Sequence, residues 1–358
     1  MVNSDQHNKY LIIGPSWVGD MVMAQSLFID LKKSQPESQI DVLAPAWTAA
    51  LIDRMPQVTE LISANFNHGK LSLAERYKLG KKLAKESYTH AIVLPRSYKS
   101  ALVPAIARVA IRTGYIGEQR WGLLTDLRKL DKTKHPMTVQ RFIALGLAKN
   151  ASARAIETIP APLLEVSNDQ VAHVLQKNQL ALNKQVLILC PGAEFGASKK
   201  WPSKHYSEVA DFYLSKGLQV WLMGSDNDIA ACQEINQLAG NKCQVLAGKT
   251  TLPEAIDLVS CASLVVSNDS GLMHIAAALQ KPLVAVYGST DPGHTPPLSA
   301  NHKIASLSLS CSPCFKRECP LMHLDCLTKL ESTKVIELAQ ALLNDSEQKK
   351  PKEVNDDD

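Results

Sequence analysis

Short apolar runs that stop at glycine or proline alternate with segments of helical period along most of the chain. Tyr10-Leu11-Ile12-Ile13-Gly14 is the first such run and predicts a buried parallel strand. A turn, Pro15-Ser16-Trp17-Val18-Gly19-Asp20, leads from it into a helix over 21–34 with apolar positions at 23, 27 and 31. The same logic predicts strands at 40–44, 91–94 and 113–116, and helices at 46–55, 71–87 and 98–107. Residues 155–169 hold Pro160 and Pro162 with little periodicity and read as a linker. The pattern then restarts with strands at 186–190, 219–223, 264–267 and 283–287. Helices are expected at 203–215, 227–239, 252–260, 271–279 and 332–343.

Alternation of this kind implies an α/β fold, two Rossmann-like doubly wound domains facing a cleft. The expected boundaries are 1–160 for the first domain, 170–345 for the second and 346–358 for a charged, disordered tail. Composition agrees with a globular chain: 45% of residues are hydrophobic, 21% charged and only 5% aromatic, so aliphatic side chains must build the core. The start is polar, without a basic-then-apolar leader, and no run of roughly 18 apolar residues occurs. A cytoplasmic protein that spans nothing is the expectation.

Charge is uneven. Residues 76–154 carry 17 Lys and Arg against 4 Asp and Glu, whereas the whole chain is only +4. Such a stretch is either a solvated helical surface or a face for a polyanion such as acidic lipid, nucleic acid or a phosphorylated sugar.

Ligands of open α/β sheets bind beyond the carboxyl ends of the strands, which directs attention to the turns there. Ser267-Asn268-Asp269-Ser270-Gly271-Leu272-Met273-His274 joins a strand to a helix, whose free N–H groups suit a phosphate. The turn ending in Asp20 offers a carboxylate able to take a proton from a hydroxyl, or simply to cap the helix. Neither a dinucleotide-binding glycine pattern nor a P-loop is present, which argues against a nicotinamide dehydrogenase and a P-loop ATPase.

Together, Ile13–Met21, Ala44-Pro45-Ala46-Trp47, Cys190-Pro191-Gly192-Ala193-Glu194-Phe195-Gly196, Lys199-Lys200-Trp201-Pro202 and Ser267–His274 resemble glycosyltransferase family 9. The likeness runs from about residue 10 to about 345. Pro15–Asp20 and Pro191–Gly196 resemble its heptosyltransferase II branch more than its heptosyltransferase I branch. The resemblance implies a GT-B fold and an inverting transfer of heptose from ADP-heptose to the first heptose of a Kdo2-lipid A core. It implies Asp20 as catalytic base and Lys199 as the group that neutralises donor phosphates. Gly19, Gly192, Asp226, Asp269, Ser270, Gly271 and His274 are the expected donor-binding residues. The family has a glutamate near the position of the shorter Asp226.

Leaving-group charge can be absorbed by Lys199 and a helix N-terminus, so no obligatory metal is expected in the site. An anionic acceptor in the inner leaflet would explain the basic stretch, with Arg96, Lys99, Arg120 and Arg141 as candidate contacts and the enzyme lying peripherally on the cytoplasmic face of the inner membrane. Nucleic acid is not an expected partner. The alternatives are a related transferase such as heptosyltransferase I or III, and a non-catalytic anion-binding protein on the same fold. Separately, Cys311, Cys314, Cys319 and Cys326 lie within sixteen residues, with His323 among them. That spacing can hold structural zinc but matches no two-pair zinc ribbon, and a reduced loop or a disulfide would read the same way.

Overall fold

The computed structural model describes residues 8–64, 66 and 70–348. It divides into two compact units, Met1–Glu165 with Gly293–Thr295, and Val166–Pro292 with Pro296–Asp358. The polar start up to residue 7 and the tail from 349 lie outside the described residues. Within the expected tail, the last helix, Ser332–Gln348, runs on past 345.

The first unit is built on six parallel strands: β1 (Lys9–Ile13), β2 (Gln39–Ala44), β3 (Glu60–Ser63), β4 (His90–Val93), β5 (Ile111–Tyr115) and β6 (Asp126–Arg128), in the order β3-β2-β1-β4-β5-β6. Central β1 pairs Ile12 with Val42 on one side and Ile92 on the other. Because helices cover both faces of such a sheet, its middle strands can be apolar at every position. Leu11, Ile12, Ile40, Val42 and Ala91 are accordingly fully buried.

The second unit repeats the plan with β7 (Val186–Cys190), β8 (Gln219–Leu222), β9 (Gln244–Val245), β10 (Leu264–Asn268), β11 (Leu283–Val286) and β12 (His302–Ala305), ordered β12-β11-β10-β7-β8-β9. In each unit the first strand lies beside the fourth, and strand order runs outward from that pair in opposite directions. Loops leaving the two central strands therefore diverge, opening a crevice at their carboxyl ends. In the first unit these are the loops after β1 and β4; in the second, those after β7 and β10.

Strands β3, β6, β9 and β12 fall outside the expected set. They are two to four residues long, sit at or near the sheet edges and mix polar with apolar residues, so no apolar run marks them. The helices expected over 46–55 and 98–107 are shorter and begin as 3-10 turns, Ala46–Thr48 and Tyr98–Ala101. Helices Thr138–Gly146 and Asn168–Lys177 were not expected.

The proline-bearing segment read as a linker is docked rather than free over much of its length. Ser26 Oγ donates to Pro160 O at 2.6 Å, and Gln25 Nε2 donates to Leu163 O at 2.6 Å while its Oε1 accepts from Leu163 N at 3.0 Å. Glu165 N donates to Arg54 O at 3.0 Å. A buried amide that satisfies both backbone groups of one residue replaces a missing sheet partner. Gln25→Ala should cost about 2 kcal/mol through those unsatisfied groups. Urea unfolding should register the loss, with faster protease cleavage within 155–165; unchanged stability and cleavage would show that the segment is held by its apolar contacts alone.

Candidate active site

The crevice of the second unit brings together residues far apart in the chain. The loop after β7 passes through Gly192 to a short turn, Ala197–Lys199, and the loop after β10 carries Asp269 into helix Gly271–Ala278. Lys199 Nζ meets Asp269 Oδ2 at 2.5 Å, with Lys199 13% and Asp269 4% exposed. Thr290 Oγ1, from the loop after β11, donates to the same Asp269 oxygen at 2.6 Å. The Lys199 cation also stands 4.9 Å from the centre of the Phe195 ring.

The scaffold beneath this pair is polar, buried and fully engaged. Asn268 donates through Nδ2 to Pro191 O at 2.6 Å, while its Oδ1 accepts from Trp201 N at 3.2 Å and Tyr206 Oη at 3.0 Å. Trp201 Nε1 donates in turn to Leu330 O at 2.8 Å. One side chain thus ties the end of β10 to the loop after β7 and to the Lys-x-Trp-Pro segment, fixing the ground on which Lys199 stands.

Ser270 is the extended N-cap of helix Gly271–Ala278, and its side chain makes no capping bond. Its hydroxyl lies 3.2 Å from that of Ser267. First-turn N–H groups have no partner further back in a helix and attract anions, and here a lysine stands beside them. Asp269, by contrast, is a buried carboxylate already paired with a cation and a hydroxyl. Its carboxylate holds Lys199 Nζ in place, and its backbone leads directly into the N-terminus of helix Gly271–Ala278, within the turn expected to bind the donor.

His274 is buried in the same helix. Burial pushes its pKa down to about 4, with Asp269 opposing the shift and Lys199 adding to it. It is therefore a neutral imidazole near pH 7, suited to hydrogen bonding and not to charge neutralisation.

Gly192 has a packing reason of its own. A Cβ there would fall 2.3 Å from Asp228 Oδ2, so only glycine leaves room for that carboxylate. Asp228 was missed by the sequence reading. It is buried, accepts from Ser225 N at 2.9 Å and Ser225 Oγ at 2.8 Å, and lies 3.7 Å from Lys200 Nζ. The Ser225-x-x-Asp228 spacing of a capping box was the available signal. Asp226 is exposed in that turn after β8, where Asn227 Nδ2 donates to Glu194 Oε1 at 3.3 Å.

In the first unit, Gly19 and Asp20 open helix Val18–Ser34, and both are half-buried. Asp20 is the acid of the first turn, where negative charge is stabilised by the helix N-terminus. Arg96 is exposed and Lys99 half-buried in the loop after β4, the strand beside β1. Arg120 is different: it is 1% exposed, donating through Nη1 to Pro95 O at 2.7 Å and through Nη2 to Tyr115 O. It fastens the loop of Arg96 to the end of β5, so the surface contact expected of it becomes a bracing role. Arg141 is half-buried and turns inward, with Nε on His135 O at 2.9 Å and Nη2 on Pro136 O at 2.6 Å. Exposed Trp17, Trp47, Tyr98 and Trp121 follow β1, β2, β4 and β5 on the same side of the sheet. Their place in turns, outside any apolar run, was the signal for them.

Residues 76–325 match the family model described as glycosyltransferase family 9 (heptosyltransferase). The chain is 43% identical over 343 residues to lipopolysaccharide heptosyltransferase 2 of Escherichia coli strain K12, covering 94% of this chain and 98% of that one. It is 47% identical over 307 residues to lipooligosaccharide heptosyltransferase 2 of Haemophilus influenzae, covering 83% and 88%. A solved structure of E. coli ADP-heptose lipopolysaccharide heptosyltransferase II superposes with a TM-score of 0.84 at 41% identity, covering 95% of this chain and 99% of that one.

Neutral, buried His274 has a measurable consequence. Its folded pKa lies below its unfolded value of 6.5, so the unfolded state binds the extra proton as pH falls towards 4. Stability is therefore present above that window and lost on acidification, by about 2 kcal/mol between pH 7 and pH 5. Urea unfolding at the two pH values should show this loss in the parent and a smaller one in His274→Gln; equal losses would mean that His274 is not held neutral.

Proposed function

The chain belongs to glycosyltransferase family 9, and on that basis we propose that it moves a heptose from ADP-heptose to the first heptose of a Kdo2-lipid A core in lipopolysaccharide synthesis. It is a glycosyltransferase of the GT-B fold class. One observation carries the assignment of the donor site: a lysine held by a buried carboxylate beside the open N-terminus of helix Gly271–Ala278. That is a preorganised place for a diphosphate.

In the proposed reaction the acceptor oxygen attacks the anomeric carbon as the bond to the β-phosphate oxygen of ADP breaks. The electron pair of that bond leaves with ADP, and the acceptor proton passes to the Asp20 carboxylate. Charge grows on the departing diphosphate as the bond stretches. Lys199 and the N–H groups at 270–272 meet that charge with little reorganisation, which is where fixed dipoles and cations lower a barrier most. Exposed Asp226 offers acceptor oxygens for the ribose hydroxyls of the donor.

The acceptor and the membrane belong to the first unit in this reading. Arg96 and Lys99 leave β4 next to the loop of Asp20 and can meet carboxylate or phosphate groups. Helix Leu73–Leu83 presents exposed Leu73 and Tyr77 together with exposed Lys78, Lys81 and Lys82. Apolar and basic groups mixed on one short helix suit contact with an anionic bilayer surface. Among the described residues no helix is long and apolar enough to cross a membrane.

Product mass spectrometry with ADP-heptose and acceptors carrying no heptose or one heptose on Kdo2-lipid A tests the reaction. Addition to the one-heptose acceptor alone is expected. Asp20→Asn should slow it by about 10²–10⁴-fold, the range for a lost general base, while ADP still binds. Addition to the heptose-free acceptor would move the chain to another branch of the family, and no addition to either would overturn the proposed reaction. In vesicle flotation, Lys78→Glu with Lys81→Glu should weaken binding to anionic but not neutral lipid; unchanged binding would remove this helix from the membrane contact.

A further inference from the structure

The segment 306–324 contains neither helix nor strand, yet it runs along the floor of the Lys199 turn. Cys314 N and Phe315 N both donate to Ser289 O, at 3.1 and 2.7 Å. Ser198 N donates to Arg317 O at 3.2 Å, and Ser198 Oγ donates to Lys316 O and lies 2.9 Å from Ser289 Oγ. Gly196, at φ +152°, is packed so closely that a Cβ would fall 2.4 Å from Arg317 O. The residue before the catalytic lysine candidate is therefore clamped by the stretch between Cys314 and Cys319.

We propose that Cys311, Cys314, Cys319 and Cys326 form a four-thiolate site for one zinc-class metal ion, which holds this irregular segment against the Lys199 turn. All four line a single small cavity of about 20 Å³. That volume admits one particle the size of a water molecule, so it suits a lone ion and not an organic ligand. All four are free thiols in the structure.

The electrostatics of the sulfurs agree with the geometry. The Cys319 sulfur receives the backbone N–H of Leu324, and with it those of Leu321, His323 and Met322. Backbone donors aimed at a sulfur also orient and tune it as a ligand. Cys326 is buried and lines the cavity together with Cys311, Cys314 and Cys319. Four thiolates lining one cavity repel one another, and a dication at their centre offsets that repulsion. His323 is engaged elsewhere, its Nδ1 accepting Asp325 N–H at 2.9 Å. Among the described residues no three such groups already stand at metal-binding separation, so binding draws the sulfurs inward. A soft, four-sulfur, closed set favours zinc or iron over magnesium or calcium.

The test uses the full chain, purified under reducing conditions without chelator and then reconstituted with zinc. Elemental analysis should give close to one zinc or iron per chain, and cobalt replacement should give the intense visible bands of a tetrahedral thiolate complex. Cys314→Ser and Cys319→Ser should each weaken metal binding by at least about tenfold, whereas Cys261→Ser, outside the cluster, should leave it unchanged. Removing the metal from the parent with a chelator should raise the Kd for ADP, through the clamp on Ser198. Background metal after zinc reconstitution, with four freely reacting thiols, would overturn the proposal, as would a disulfide between any two of them by mass mapping. The metal readout is independent of sugar transfer, so its failure and the failure of the proposed reaction are distinguishable.

Discussion

The short contact between Lys199 and Asp269 organises the second unit's crevice. A flexible lysine facing a diphosphate loses entropy on binding and competes poorly with water. Held at 2.5 Å by a carboxylate that is itself buried and braced by Thr290, the same lysine has its place fixed before any ligand arrives. Such a pair brings its own constraint: removing one partner of a buried ion pair leaves the other uncompensated, at about 3–5 kcal/mol. Asn268, Trp201 and Tyr206 form the hydrogen-bonded base that keeps the two loops in register.

The pair can form only because of strand order. Lys199 and Asp269 are seventy residues apart, and they meet because β7 and β10 are neighbours whose following loops diverge. The first unit uses the same device with β1 and β4, which brings the loops of Asp20 and of Arg96 and Lys99 to one end of its sheet. Each unit thus supplies its chemistry from the same topological point, with cationic groups in both and the basic excess in the first. Glycines 192 and 196 serve this scheme through packing: one gives room to the Asp228 carboxylate, the other to the backbone of Arg317.

What could be read without the structure follows from how each feature is stabilised. Central strands such as Val186–Cys190 are covered on both faces and stand out as unbroken apolar runs. Edge strands such as Gln244–Val245 draw on pairing with one neighbour and leave no such mark. The Asp20 and Ser267–His274 turns were legible because strand ends and helix caps demand small and polar residues there. The partnership of Lys199 with Asp269 was not, since no local rule links those positions. Arg120 misled for a related reason: a guanidinium that satisfies buried carbonyls is, in sequence, the same letter as one that faces solvent. Asp228 announces itself only through a capping-box spacing that many surface turns share.

Calorimetric titration of ADP into the parent, Lys199→Ala, Asp269→Ala and the double variant tests the central claim most directly. If Asp269 acts by holding Lys199 in place, either single change weakens ADP binding, by roughly 1.5–3 kcal/mol for a lost charged hydrogen bond. The double variant should then be little worse than Lys199→Ala alone, because the two residues act as one unit. Tighter ADP binding by Asp269→Ala would contradict the account: it would mean that the carboxylate competes with the diphosphate for Lys199 instead of presenting it.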